Sequence, residues 1–131
     1  MNTPLSLEIA KLLKEKGFNK PCLSYYSYLN IYTVELRDWN NQTIGDTDIH
    51  ERNAGYYSAP TIAEVVMWLY EKYGIWISVV DVNPEQSSWE YQISKKGVGL
   101  KYSSGQYPAK YDVSPTEAYE AAITYTLNNL I

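Results

Sequence analysis

The residues best suited to chemistry are the acidic residues around the single histidine: Asp46, Asp48, His50 and Glu51. Alternate residues of an extended chain point to the same side, so this spacing can present carboxylate and imidazole groups together. Such a set suits a divalent cation, or a metal-dependent hydrolase that uses Asp48, His50 and Glu51. The glycine and the distal glutamate of a calcium-binding loop are missing, and a solvated acidic loop is the interpretation we favour.

A second possible chemistry is nucleophilic, because the chain also has one cysteine, Cys22. A thiol nucleophile needs a base and an orienting group, and His50 is the available imidazole. Nothing in their spacing brings the two together, and a lone cysteine is usually a small core residue. The sequence has no glycine-rich phosphate loop, zinc-ligand spacing or nucleophile elbow, and it indicates no cofactor.

A basic segment lies between Glu90 and Asp112, where the chain has no acidic residue. Its lysines and tyrosines are Lys95, Lys96, Lys101, Lys110, Tyr102, Tyr107 and Tyr111. Lysines beside stacking rings can hold single strands, so a nucleic-acid or nucleotide binder is the alternative function. The net charge of −4 opposes it, because such proteins neutralise phosphates with basic residues. Lysines that protect an exposed strand edge from aggregation are the favoured interpretation.

The aromatic residues are mostly tyrosine, with 14 Tyr and 4 Trp but a single Phe. Tyrosine suits positions with one end buried and the other wet, on sheet faces or at interfaces. Trp68 falls on the charged face of a predicted helix, where it could anchor a partner. Alternatively, the tyrosine-rich segment Tyr25, Tyr26 and Tyr28, or a loop, covers it. The candidate binding residues are therefore Trp68, Tyr25, Tyr26, Tyr28, Lys95, Lys96 and Lys101.

Three helices must position these residues. The first is predicted from Pro4 to Lys16, with Thr3 as its cap and Gly17 as its stop. The second begins at Thr61 and ends at Gly74, with an apolar arc formed by Ile62, Val65, Val66, Leu69, Tyr70 and Tyr73. The third runs from Pro115 to the C-terminus, behind a capping box of Ser114 and Glu117.

Five strands are also predicted. Alternation or β-branched residues indicate strands at Cys22–Tyr28, Ile31–Arg37, Ile75–Val82, Trp89–Ser94 and Leu100–Tyr102. The Ile75–Val82 strand is expected to be buried on both faces, and the short links predict antiparallel pairing. Residues 38–60 show no periodicity and are expected to form a long loop.

Length and composition favour one domain, since 131 residues match a typical single core. The fold class expected is α+β: an antiparallel sheet of three to five strands with about three helices on one face. No signal peptide or apolar run of membrane-spanning length is evident, and one cysteine allows no internal disulfide. We therefore expect a cytoplasmic protein that makes no use of a membrane.

Three stretches, Leu12–Phe18, Tyr57–Ser78 and Ser114–Ala122, resemble small uncharacterised proteins of gut Bacteroidetes, their phages and mobile elements. The matching residues are mostly helix-start and core residues. The resemblance implies a bacterial or phage origin and a cytoplasmic setting, and it implies no activity, cofactor or catalytic residue. The expected function is a non-catalytic binding or accessory protein that acts through a protein surface, with a protein partner or a second copy of itself.

Overall fold

The computed structural model describes residues 3–42, 55–85, 88–103 and 113–131. These residues form three α-helices and two antiparallel sheets of three strands each. The predicted α+β class is confirmed, with the strands divided between two sheets. The contacts group the chain into two compact units, Asn2–Thr61 and Ile62–Ile131, and the single domain expected from length stays a prediction.

The N-terminal unit is built around a central strand, β1. Its elements are α1 (Leu7–Glu15), β1 (Cys22–Ser27), β2 (Asn30–Arg37), a 3₁₀ helix (Trp39–Asn41) and β3 (Tyr57–Ser58). Strands β2 and β3 pair antiparallel with β1 on either side of it. The two strands predicted in this half are confirmed. The predicted loop over residues 38–60 is partly structured by the 3₁₀ helix and β3, and residues 43–54 lie outside the described residues.

The predicted start of α1 is wrong. The helix begins at Leu7, and Ser6 rather than Thr3 caps it, its hydroxyl accepting a hydrogen bond from a first-turn amide. The reason is a tertiary contact that local propensity does not register. The Leu5 amide donates to the Pro60 carbonyl at 2.9 Å, which keeps the preceding residues extended instead of helical.

The predicted end of α1 is confirmed. Gly17 adopts a φ of 83°, the left-handed conformation that glycine reaches at little cost. The Phe18 amide then donates to the Leu13 carbonyl at 2.9 Å, as in a Schellman ending. Phe18 is thereby turned into the core of this unit, whose buried apolar members are Leu5, Ile9, Ala10, Leu13, Phe18, Cys22, Trp39 and Ala59.

One side chain, that of Asn40, ties the 3₁₀ helix to two other elements. Its Oδ1 accepts from the Ser58 amide on β3 at 2.8 Å, and its Nδ2 donates to the Phe18 carbonyl at 2.8 Å. The Asn40 amide also donates to Ser58 Oγ at 3.0 Å. Because Ser58 and Phe18 are buried, these bonds satisfy polar groups that water does not readily reach.

The C-terminal unit places α3 against a three-stranded sheet. Its elements are α2 (Ile62–Tyr73), β4 (Ile75–Asn83), β5 (Ser88–Lys95), β6 (Gly99–Ser103) and α3 (Pro115–Asn129). The strand order is β4-β5-β6, all antiparallel as predicted. The capping box of Ser114 and Glu117 is confirmed by both of its hydrogen bonds. None of the helices described combines the length and the apolar composition needed to cross a membrane.

The expectation that β4 is buried on both faces is wrong. Ile75 and Ile77 are buried, whereas Trp76, Val80 and Val82 on the alternate positions are 37–48% exposed. Helix α3 packs on β4 and β5, and an antiparallel sheet covered on one face leaves its other face accessible. The β-branched composition therefore predicted the strand correctly, but the prediction that both of its faces are buried was wrong.

We predict that Asn40→Ala lowers the free energy of unfolding by about 2–4 kcal/mol, because it removes the two side-chain hydrogen bonds that Asn40 makes to a buried amide and a buried carbonyl. Urea denaturation followed by circular dichroism measures the change. The matched control is Asn41→Ala, at the exposed neighbouring position, where the expected loss is below about 1 kcal/mol. Equal losses at the two positions would contradict the role given to Asn40.

Candidate functional site

Large apolar side chains reach solvent along the β1–β2 hairpin. All eight residues of β2 are exposed, and the described part of the chain exposes thirteen large apolar side chains, seven of which lie here. We call these seven the hairpin surface: Leu23, Tyr28, Leu29, Ile31, Tyr32, Val34 and Leu36. Exposed apolar residues scattered singly are ordinary, but a continuous group of them marks an interaction site.

Three residues of the hairpin surface form a row on one face of β2. Tyr32, Val34 and Leu36 occupy alternate positions, and alternate residues of a strand share a face. Tyr25 of β1 stands directly opposite Tyr32, so it belongs to the same face. Val34 and Leu36 are 62% and 64% exposed. An amphipathic strand normally buries such a row, so here it lacks its usual cover in the described structure.

A β-bulge lies in the middle of this row. Between its pairings with Ser24 and with Cys22, β2 carries three residues (Val34–Leu36) where β1 carries one (Leu23). In the register of these two strands, the three residues therefore have no one-to-one counterparts. Bulges bend a strand and re-aim its side chains, and they are found at sheet edges and next to functional sites.

A cluster of aromatic rings supports the row from β1. The ring of Tyr25 lies 5.3 Å from Tyr32, 4.3 Å from Trp39 and 4.7 Å from Tyr56, measured between centroids. Each such ring pair contributes about 0.5–1.5 kcal/mol beyond the area it buries. We call these four residues the aromatic cluster. Burial, and then the neighbouring Tyr56 and Tyr32, raise the pKa of Tyr25 above its ordinary value.

Trp39 anchors the aromatic cluster in the core. Its indole N–H donates to the Cys22 carbonyl at 2.8 Å, and its side chain is buried. The guanidinium of Arg37 lies 5.7 Å from the centroid of the same ring, a cation–π distance. Arg37 also pairs with Glu35 at 2.8 Å. Since these are the charged residues of β2, the strand is neutral overall.

The turn of the hairpin is strained. Ser27 pairs with Asn30, so Tyr28 and Leu29 alone form the turn. Tyr28 has a φ of 57°, a left-handed conformation that costs a residue with a side chain about 1–2 kcal/mol. Leu29 beside it is 84% exposed. Backbone strain that persists at an exposed apolar tip favours a functional interpretation of the hairpin surface.

The three tyrosines predicted as binding residues lie in the N-terminal unit, each in a different environment. Tyr25 is the centre of the aromatic cluster, and Tyr28 is the exposed first residue of the turn. Tyr26 is half-buried, and its hydroxyl donates to the Leu5 carbonyl at 2.8 Å. Tyr26 therefore has a structural contact on the opposite face of β1. Sequence reasoning missed the apolar residues of β2, whose alternation predicted a strand without indicating exposure.

Trp68 does not have the position that an anchor for a partner requires. Its side chain is 2% exposed, so the expectation of an exposed anchor is wrong, and cover by the Tyr25–Tyr28 segment or by a loop stays a prediction. Its ring meets Tyr73 edge to face at 5.6 Å, and the Lys72 ammonium lies 5.3 Å from its centroid. The predicted apolar arc of α2 is rotated accordingly, with Tyr70 on the exposed side at 41%.

The structure describes the basic segment only in part, and the acidic loop lies outside the described residues. Lys95 and Lys96 are exposed and Lys101 falls on β6, whereas Lys110 lies outside the described residues. The metal candidates Asp46, Asp48 and His50, with Glu51, lie outside them as well. Within the described ranges, no three His, Cys, Asp or Glu side chains are grouped closely enough to hold a metal ion. Cys22 is buried, with its thiol donating to the Ser24 carbonyl at 3.4 Å.

Comparison of the chain with protein-family models, curated proteins and solved structures found no match in any of the three. The hairpin surface is therefore interpreted from its own geometry. In the part of the chain that the structure describes, its features are an edge strand, a row of apolar side chains on alternate positions and an aromatic support. Together these features suit contact with another apolar surface, and they supply no nucleophile, base or bound ion.

We predict that the Tyr28→Gly variant is more stable than the Leu29→Gly variant, with a free energy of unfolding higher by about 1–2 kcal/mol. Glycine relieves the left-handed strain at position 28, whereas at position 29 it adds conformational entropy to the unfolded chain without relieving strain. Both variants remove one exposed apolar side chain from the same turn, so each controls for the other. Thermal and urea denaturation provide the measurement, and a less stable Tyr28→Gly would contradict the strained geometry.

Proposed function

We propose that this protein is a non-catalytic binding or accessory protein that acts on another protein through the hairpin surface. The observation that carries the proposal is the exposure of all eight residues of β2, with an apolar row made of Tyr32, Val34 and Leu36. Leaving these side chains in water forgoes about 25 cal/mol for each Å² of apolar area that a partner would bury. A partner chain that covers the row recovers this free energy.

The mode of binding that fits this surface is addition of a strand to the sheet. Strand β2 is at the edge of the order β2-β1-β3, and an edge strand carries backbone groups that another strand can pair with. In strand addition, backbone hydrogen bonds supply affinity and alternate side chains supply specificity. The aromatic cluster pre-organises β2, which lowers the entropy lost when the partner binds.

The setting we propose is the cytoplasm of a bacterium or a bacterium infected by a phage. Two points support it: the resemblance to small proteins of gut Bacteroidetes, and the lone cysteine. Cys22 is buried and is the single cysteine of the sequence, so it forms no internal disulfide, as is usual for proteins of reducing compartments.

We predict that Val34→Lys abolishes retention of a partner, because it places an ammonium group at the centre of the apolar row. The immobilised protein is incubated with a lysate of gut Bacteroidetes, and the retained proteins are quantified by mass spectrometry. Met67→Lys is the matched control, since Met67 is also exposed (47%) but lies on α2 in the other unit. Circular dichroism must first establish that both variants are folded.

The expected pattern is a protein retained by the wild type and by Met67→Lys, and reduced at least about tenfold by Val34→Lys, the loss expected for a central interface residue. A partner retained equally by all three would place binding elsewhere on the molecule and contradict the proposal. Saturable turnover of a substrate by the purified protein would contradict its non-catalytic part.

A further inference from the structure

We propose that the partner of β2 is a second copy of this chain, paired antiparallel along the β2 edge about a two-fold axis at Val34. The proposal rests on the proposed function, that the hairpin surface binds protein, and it names the partner. Two-fold symmetric pairs are the commonest protein assemblies, and they require a surface that is complementary to itself. The residue order of β2 meets this requirement.

The apolar row of β2 is palindromic in this register. Antiparallel strands place residues directly opposite each other on a shared face. With the axis at Val34, Tyr32 of one copy stands opposite Leu36 of the other, Val34 stands opposite Val34, and Leu36 stands opposite Tyr32. Each of the three apolar side chains therefore meets an apolar side chain, and aromatic–aliphatic cross-strand pairs are among the stabilising ones.

The charged residues of β2 fit the same register. Glu35 of one copy stands opposite Thr33 of the other, and Arg37 stands opposite Ile31, so no like charges face each other. Within each copy Glu35 and Arg37 already form an ion pair, which leaves each strand neutral. The long stem of Arg37 can cover Ile31, which is 44% exposed in the single chain.

Shifting the axis by one residue to Thr33 keeps Val34 opposite Tyr32 but loses the rest of this complementarity. In that register Leu36 stands opposite Asn30, and Glu35 stands opposite the apolar Ile31. An extended peptide of unrelated sequence could also pair with β2. Nothing in β2 itself favours such a peptide. By contrast, the segment Tyr32-Thr33-Val34-Glu35-Leu36 has apolar residues at its first, third and fifth positions, so an antiparallel copy of it places apolar residues opposite apolar residues.

The bulge keeps the two ends of β2 in phase. Val34–Leu36 have no one-to-one counterparts on β1, and all three side chains are exposed. Thr33 and Arg37 pair with Ser24 and Cys22, which share a face of β1, so the residues on the two sides of the bulge keep the same alternation. The backbone groups that an added strand would pair with lie along the other edge of β2, which faces away from β1.

The sharpest test compares Thr33→Lys with Thr33→Glu by sedimentation velocity over a range of protein concentrations. Both changes remove the same hydrogen bond, between the hydroxyl groups of Thr33 and Ser24 at 2.7 Å, so the loss of that bond cancels in the comparison. In the proposed register the new side chain faces Glu35 of the second copy, twice per dimer. We expect the dimer of Thr33→Lys to dissociate at about tenfold lower concentration than that of Thr33→Glu at low salt, and the difference to shrink in high salt.

A second variant tests the axis itself. Val34→Lys places two ammonium groups opposite each other at the axis, and we expect it to be monomeric at every concentration at which the wild type is dimeric. Met67→Lys carries the same added charge away from β2, and we expect it to dimerise as the wild type does. Circular dichroism of Val34→Lys separates loss of pairing from loss of folding.

The outcomes distinguish this proposal from the proposed function. A wild type that stays monomeric, a dimer indifferent to Val34→Lys, or equal dissociation of the two Thr33 variants would overturn the second copy as partner. If that happened while a lysate protein was still retained in a Val34-dependent manner, the hairpin surface would keep its function with a different partner. A dimer with the expected order of stabilities supports both proposals.

Discussion

The hydrogen bond from the Trp39 indole to the Cys22 carbonyl is the contact on which the N-terminal unit depends most. It fixes the 3₁₀ helix against β1 at the point where β2 is bulged, and it sets the Trp39 ring at 4.3 Å from Tyr25. Asn40, the next residue, then bonds to β3 and to Phe18 in the segment that follows α1. The same short helix therefore holds together the sheet, the first helix and the aromatic cluster.

This arrangement explains how an exposed strand can remain ordered. Strand β2 packs chiefly on β1, and a two-stranded hairpin alone is marginally stable in water. The aromatic cluster adds contacts from Tyr56 and from Trp39, which reach Tyr32 through the ring of Tyr25. The apolar row is thus presented on a supported strand, which suits recognition better than a loop would.

Much of the fold could be predicted from local signals. The Schellman ending at Gly17, the capping box at Ser114 and the alternation in β2 each act over a few residues, and the structure confirms each of them. The start of α1 could not be predicted, because it depends on a hydrogen bond between Leu5 and Pro60, which are distant in sequence. Long-range contacts override local propensity in this way.

The candidate site was harder to predict than the fold. Alternating apolar residues produce the same pattern whether the face they form is covered by the chain itself or by a partner, so the alternation of Val34 and Leu36 predicted a strand and gave no indication of their exposure. Trp68 shows the converse, since its place among charged residues suggested exposure and the structure buries it. Tyr25 was a candidate only as part of the tyrosine-rich segment Tyr25–Tyr28, and its central place in the aromatic cluster depends on Trp39 and Tyr56.

The most direct test of the central claim, that β2 is a docking strand, is amide hydrogen exchange followed by mass spectrometry at low and at high protein concentration. We expect amides within Asn30–Arg37 to exchange more slowly at high concentration, because pairing with a second strand protects their edge, while amides of α3 exchange at the same rate in both samples. The claim that β2 is a docking strand would be contradicted if its amides exchanged at the same rate at both protein concentrations and also in the presence of a protein retained from the lysate.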